Sequence, residues 1–124
     1  MLSEIKQADR AQEYATDERC HIIEIANDAD DEYLSIARAR VDVGVTTAWH
    51  CLQGISERYI IVCGQGLAEV EDLEPTPVGP GDVVRIAPGK AQRITNTGDE
   101  QLIFYAVCAP RFNAHAYINL EQSG

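Results

Sequence analysis

Turn-forming clusters interrupt this chain every several residues, and no segment between them carries the apolar period of a long helix. Ala-Asn-Asp-Ala-Asp-Asp-Glu at residues 26–32, Asp42-Val43-Gly44, Gln53-Gly54-Ile55-Ser56, Gly64-Gln65-Gly66, Ala87-Pro88-Gly89-Lys90 and Asn96-Thr97-Gly98-Asp99 are such clusters, and residues 72–81 are dense in Pro and Gly. The segments they leave, 20–25, 34–41, 46–52, 57–63, 67–71, 82–86, 91–95 and 101–108, are short, β-branched and partly alternating, so each reads as a strand. The loop at 72–81 has room for one more very short strand. A chain of 124 residues built this way is a single all-β domain, a sandwich or a barrel. Its predicted parts are an N-terminal arm over 1–19, a barrel over 20–112 and a C-terminal tail over 113–124, which either forms a turn of helix or packs back on the barrel.

The stretch 44–64 concentrates the chemistry. Residues 46–52 and 57–63 read as the two strands of a hairpin, turned by Gln53-Gly54-Ile55-Ser56 with Gly54 free to take a positive φ. By strand alternation Ala48, His50 and Leu52 share one face, as do Glu57, Tyr59, Ile61 and Cys63. If those faces look into a closed sheet, His50 and Glu57 meet in an enclosed pocket. An imidazole and a carboxylate there are half of a metal site or half of an acid/base pair. Tyr59, Phe104 and Ala106 fall on the same inward face, and the small Ala37 and Ala39 leave room for a substrate. A plain hydrophobic core explains Phe104 and Ala106 equally well. Tyr59 points further, because a buried phenol needs a partner.

Charge narrows the partners. The net charge is −10, and residues 1–33 hold ten acidic against three basic side chains. Such a chain repels a phosphate backbone and offers no basic patch to anionic lipid, so neither nucleic acid nor a membrane surface is an expected partner. The acidic arm reads as a solvated, solubilising segment. The opening residues lack the apolar core of a secretory signal, and a cytoplasmic location is expected. Cys20, Cys51, Cys63 and Cys108 show no Cys-x-x-Cys spacing and read as buried thiols, with Cys63 and Cys108 facing the pocket by parity. His21 and His115 read as edge or surface side chains. Trp49 and Arg58 fall on the outer face.

Two motifs carry a resemblance to the cupin family. Its first, Gly-x5-His-x-His-x3-4-Glu-x6-Gly, is matched in every spacing by Gly44, His50, Leu52, Glu57 and Gly64, with Leu52 in place of the second His. Its second, Gly-x5-Pro-x-Gly-x2-His-x3-Asn, is matched by Gly81, Pro88 (displaced by one place), Gly89, Gln92 in the His position and Asn96. The resemblance spans roughly residues 34–110. It implies a double-stranded β-helix, two antiparallel sheets closing into a small conical barrel, usually as a homodimer. It also implies a divalent metal held in the barrel by three His and one Glu, a set of which this chain keeps His50 and Glu57.

With Gln92 as a third donor, the set is one nitrogen and two oxygens, which leans toward Mn or Fe(II) over Cu and leaves Zn and Ni open. The competing expectation is a metal-free network in which Gln92 donates to Glu57 and accepts from His50. Three functions follow. The first is a metal-dependent dioxygenase, isomerase or lyase acting on a small polar metabolite, with His50, Glu57 and Gln92 on the ion and Glu57 or Tyr59 moving a proton. The second is a metal-free module binding a small molecule through the same polar side chains. The third is a dimeric barrel with a vestigial site.

Overall fold

A computed structural model describes residues 1–121, so the tail expectation for 122–124 lies outside the described residues. Strands form where the sequence alternates: β1 (Tyr14–Ala15), β2 (His21–Ala26), β3 (Ser35–Val41), β4 (His50–Leu52), β5 (Ser56–Cys63), β6 (Gly66–Val70), β7 (Thr76–Val78), β8 (Val83–Ile86), β9 (Gln92–Asn96), β10 (Leu102–Ala109) and β11 (Tyr117–Asn119). Strict alternation of buried and partly exposed side chains along β6, β9 and β10 leaves one apolar face on each. Two antiparallel sheets bury those faces against each other. One has the order β1-β2-β3-β10-β5-β8, the other β11-β4-β9-β6-β7. Val41, Ile61, Leu102 and Phe104 from the first sheet meet Ala68, Val70 and Ile94 from the second in one core. No helix among the described residues is long and apolar enough to cross a membrane.

From β3 onward, apart from the β6–β7 pair, the chain winds between the sheets instead of doubling back within one. β4, β6 and β7, β9 and β11 lie in one sheet; β5, β8 and β10 lie in the other. This corrects the predicted 46–52/57–63 hairpin. Gly54 does take a positive φ (+74°), yet the turn it makes is a corner that carries the chain from the second sheet to the first. β4 is also shorter than expected: Thr46 contributes only an isolated bridge to Thr95. At Gly64 the next corner needs both a positive φ (+86°) and the absence of a side chain, since a Cβ would lie 2.6 Å from the Gln101 carbonyl oxygen. Asn96, 1% exposed, closes the far corner: its Nδ2 donates to the carbonyls of Val41 (2.9 Å) and Glu100 (2.8 Å), and its Oδ1 accepts from the Gly98 amide (3.0 Å).

The arm from Tyr14 onward and the tail through Asn119 are built into the barrel. The arm over 1–19 was expected to be solvated, but β1 pairs with β2, and the Glu18 carbonyl accepts from the Ala48 amide at 3.0 Å. Beyond β10 a short 3-10 turn, Ala114–Ala116, leads into β11, which pairs with β4 and sets Asn119 opposite His50. Arg19 clasps the two ends together: its Nε donates to the Thr46 carbonyl (2.8 Å) and its guanidinium pairs with Glu121 (2.8 Å).

Candidate active site

At one end of the barrel the sheets part around a cavity of about 190 Å³. The walls include His50, Glu57, Tyr59, Phe104, Ala106 and Ala37. Strand parity read from sequence had aimed these six inward. His50 and Glu57 approach from opposite sheets, facing one another across the barrel rather than along a hairpin.

His50 is 3% exposed and its ring stacks on Tyr117 at 5.2 Å between centroids. Nδ1 lies 2.8 Å from the Ala48 carbonyl oxygen, which can only accept, so Nδ1 carries a hydrogen. In the neutral ring Nε2 is then a lone pair turned to the cavity. The nearest charged atom to it is Glu18 Oε2 at 3.9 Å, beyond hydrogen-bond range.

Gln92 sits beside His50 in the β4–β9 register, 1% exposed, and does not line the cavity. Its Nε2 donates to Glu57 Oε1 at 2.7 Å, and its Oε1 accepts from the Tyr59 hydroxyl. The Cys108 thiol donates to Glu57 Oε2 at 3.6 Å. The expected Gln92–Glu57 bond is therefore present, while the expected Gln92–His50 bond is replaced by one from Tyr59. Both ends of the amide are spent, and they tie the two sheets together through buried polar groups.

That arrangement decides how the residues suit a metal. A cation needs the Gln92 oxygen and a Glu57 oxygen free and converging with His50 Nε2. Here the amide oxygen serves a phenol, and each carboxylate oxygen of Glu57 already has a donor. Leu52, at the fourth position, has no donor atom. Among the described residues no group of three or more His, Cys, Asp or Glu side chains is placed to hold an ion. His50, Glu57 and Gln92 as arranged do not fit a divalent metal.

Two further groups escaped the sequence reading. Glu18, from the arm, and Tyr117, from the tail, both line the cavity. The Tyr117 hydroxyl is buried without a protein partner among the described residues. A signal for Glu18 did exist: Tyr14, Thr16, Glu18, Cys20, Ile22 and Glu24 all face the cavity, an unbroken period of two that the density of charge concealed. The other cysteines and histidines lie elsewhere. Cys63 Sγ donates to the Gln101 carbonyl (3.7 Å), His21 Nε2 lies 3.3 Å from Asp42, and His115 is exposed in the 3-10 turn.

Burial sets the protonation of the cavity. It pushes the carboxyls of Glu57 and Glu18 above their ordinary range; the Gln92 bond and His50 oppose this at Glu57, and His50 opposes it at Glu18. Burial also drives the Tyr59 phenol well up and raises the Cys20 thiol to about 11, so neither ionises near neutrality. The sign of the linkage for Glu57 is then fixed. A carboxyl raised above 4.5 in the folded state favours folding most at acid pH, and the advantage is lost as pH climbs from there through the raised value. Glu57→Gln removes that dependence while keeping the shape. Denaturant melts of the variant and its parent should diverge as pH rises above 4.5, the variant becoming the more stable by up to about 2 kcal/mol. Parallel curves would mean that Glu57 is not held up by burial.

No family model matches the chain, and no curated protein matches it in sequence. Solved structures do match in shape. A Streptomyces Pac13 variant with uridine superposes with a TM-score of 0.81 over 100% of this chain and 95% of its own, at 16% identity. Pac13 is described as a nucleoside dehydratase. A Klebsiella pneumoniae protein with a double-stranded β-helix domain gives 0.76 over 98% and 100% of the two chains, at 17% identity. The fold is a double-stranded β-helix. Oxalate decarboxylase from Bacillus subtilis matches 97% of this chain at a TM-score of 0.82 and 17% identity; this chain covers 33% of that one. At such identities the likeness is one of fold.

Proposed function

We propose that the cavity is a metal-free active site for elimination or isomerisation on a small polar molecule, with His50 as general base and Glu18 as general acid. The observation that carries the reading is the imidazole: Nδ1–H is fixed on the Ala48 carbonyl, and Nε2 faces the cavity with Glu18 Oε2 3.9 Å away. His50 Nε2 removes a proton from carbon next to a carbonyl. Glu18, whose carboxyl burial pushes above its ordinary range, gives its proton to the departing hydroxyl, so a carbon–carbon double bond forms and water leaves. Tyr117 flattens against the imidazole and offers a free phenol to the substrate oxygen. Glu57 supplies negative charge beside the imidazolium that forms, and Tyr59 and Gln92 hold Glu57 in place.

The fold neighbours support this class of chemistry, since Pac13 is a nucleoside dehydratase. Oxalate itself is a poor candidate, because a dianion would enter a cavity whose charged walls are carboxyls. A homodimer and a cytoplasmic location belong to the same reading. The test is turnover of β-hydroxycarbonyl compounds, nucleoside-derived ones among them, by protein treated with a chelator, followed as the absorbance of the conjugated product. Turnover that survives the chelator supports the proposal. A rate that appears only on adding a divalent metal, or none with any such compound, overturns it.

A further inference from the structure

We infer that the ligand of this cavity carries a positive charge, as a small organic ammonium. The inference takes from the proposed function only that the cavity is a ligand site, and it names the substrate class. It rests on the sign of the walls, on their aromatic surface and on an unfilled acceptor.

Glu18, Glu24 and Glu57 line the cavity, and no Lys or Arg does among the described residues. The nearby cations are engaged elsewhere. Arg19 is held by Glu121 and the Thr46 carbonyl, and Arg40 by Glu13 and Asp42. His50 is the single basic group at the walls, and one imidazole does not balance three carboxyls.

The remaining surface suits an ammonium with carbon substituents better than a bare ion. Tyr59 and Phe104 form a tilted pair 4.4 Å apart, and Tyr14, Phe112 and Tyr117 add rings around the opening. Aromatic faces attract cations through the ring quadrupole and accept methyl and methylene groups at no polar cost. The independent sign of a ligand is His50. Its side chain is 4% exposed, yet Nε2 has no protein hydrogen-bond partner among the described residues and opens to the cavity. A ligand N–H or O–H would fill that position. The Tyr14 hydroxyl, which donates to Glu24 Oε1 at 3.4 Å, holds that third carboxylate among the walls.

Shape and charge can be separated with two isosteres. Choline and 3,3-dimethylbutan-1-ol have nearly the same outline and differ in charge. Ethanolamine and glucosamine extend the ammonium series, and oxalate supplies the opposite sign. Titration calorimetry on the full chain should find the ammonium compounds bound and choline preferred over its neutral isostere by about tenfold or more. Glu18→Gln and Glu24→Gln should each narrow the preference for choline. Equal affinity for the two isosteres, displacement by oxalate, or no binding by any ammonium compound overturns the inference. The outcomes are independent of turnover. Ammonium binding without elimination removes the proposed reaction and leaves the ligand class. Turnover of neutral compounds with ammonium excluded does the reverse.

Discussion

His50→Gln should lower turnover by about two to four orders of magnitude, the range contributed by a positioned general base. Glutamine has a similar reach and an N–H that can serve the Ala48 carbonyl, so the local hydrogen bond has a replacement. What it lacks is a basic lone pair where Nε2 stands. It also loses the stacking on Tyr117, which supports the ring from the tail. The loss should therefore fall on kcat, with KM changed little, because the carboxyls and aromatic walls that hold the substrate are untouched. A thermal melt close to that of the parent checks that the variant is folded. A variant that keeps its rate within a factor of a few would remove His50 from the reaction and shift the search for a base to Glu18.

The comparison with Glu18→Gln sharpens this. If Glu18 delivers the proton to the leaving hydroxyl, its amide loses rate on substrates with poor leaving groups and is nearly silent on those that leave unaided. His50→Gln is slow on both. Such a split assigns acid and base without any reference to a metal.

Much of the site was legible because β-strands alternate. Once the turns were placed, parity alone aimed Ala37, His50, Glu57, Tyr59, Phe104 and Ala106 at one cavity, and they line it. The motif spacings carried the fold for a related physical reason. Gly64 and Asn96 stand at corners where backbone approach and buried carbonyls leave few alternatives. The pairing of β4 with β5 was misread because a two-strand hairpin and a corner between sheets use the same turn residues. Gln53-Gly54-Ile55-Ser56 satisfies either, and the choice is made by long-range partners: β11 and β9 for β4, β10 and β8 for β5. Glu18 and Tyr117 were missed for the same reason. They reach the cavity through Ala48–Glu18 and β4–β11 hydrogen bonds between distant parts of the chain; the period of two that turns Glu18 inward is local, but the partners that seat it and Tyr117 are not.

Gln92→Leu should cost roughly 2–6 kcal/mol, a large share of the stability of a domain this size, because it strands two buried groups at once. Leucine nearly fills the volume, so the loss is one of hydrogen bonding. The Tyr59 hydroxyl loses its acceptor, and Glu57 Oε1 loses the amide donor that opposes its burial. Both residues are buried. The mechanism is separable by a double-mutant cycle. Tyr59→Phe alone leaves the Gln92 oxygen unfilled and should destabilise. In the Gln92→Leu background the same change removes an orphaned phenol and should restore about 1–3 kcal/mol. Glu57→Gln in that background should restore part of the rest by removing a buried charge. Urea melts of the set, compared at one pH, give the coupling. Additive losses, or a Gln92→Leu protein as stable as its parent, would mean that the amide fills space and ties nothing. Strong coupling would mean that Gln92 stands where it does to hold the Glu57 carboxyl and the Tyr59 phenol in register across two sheets.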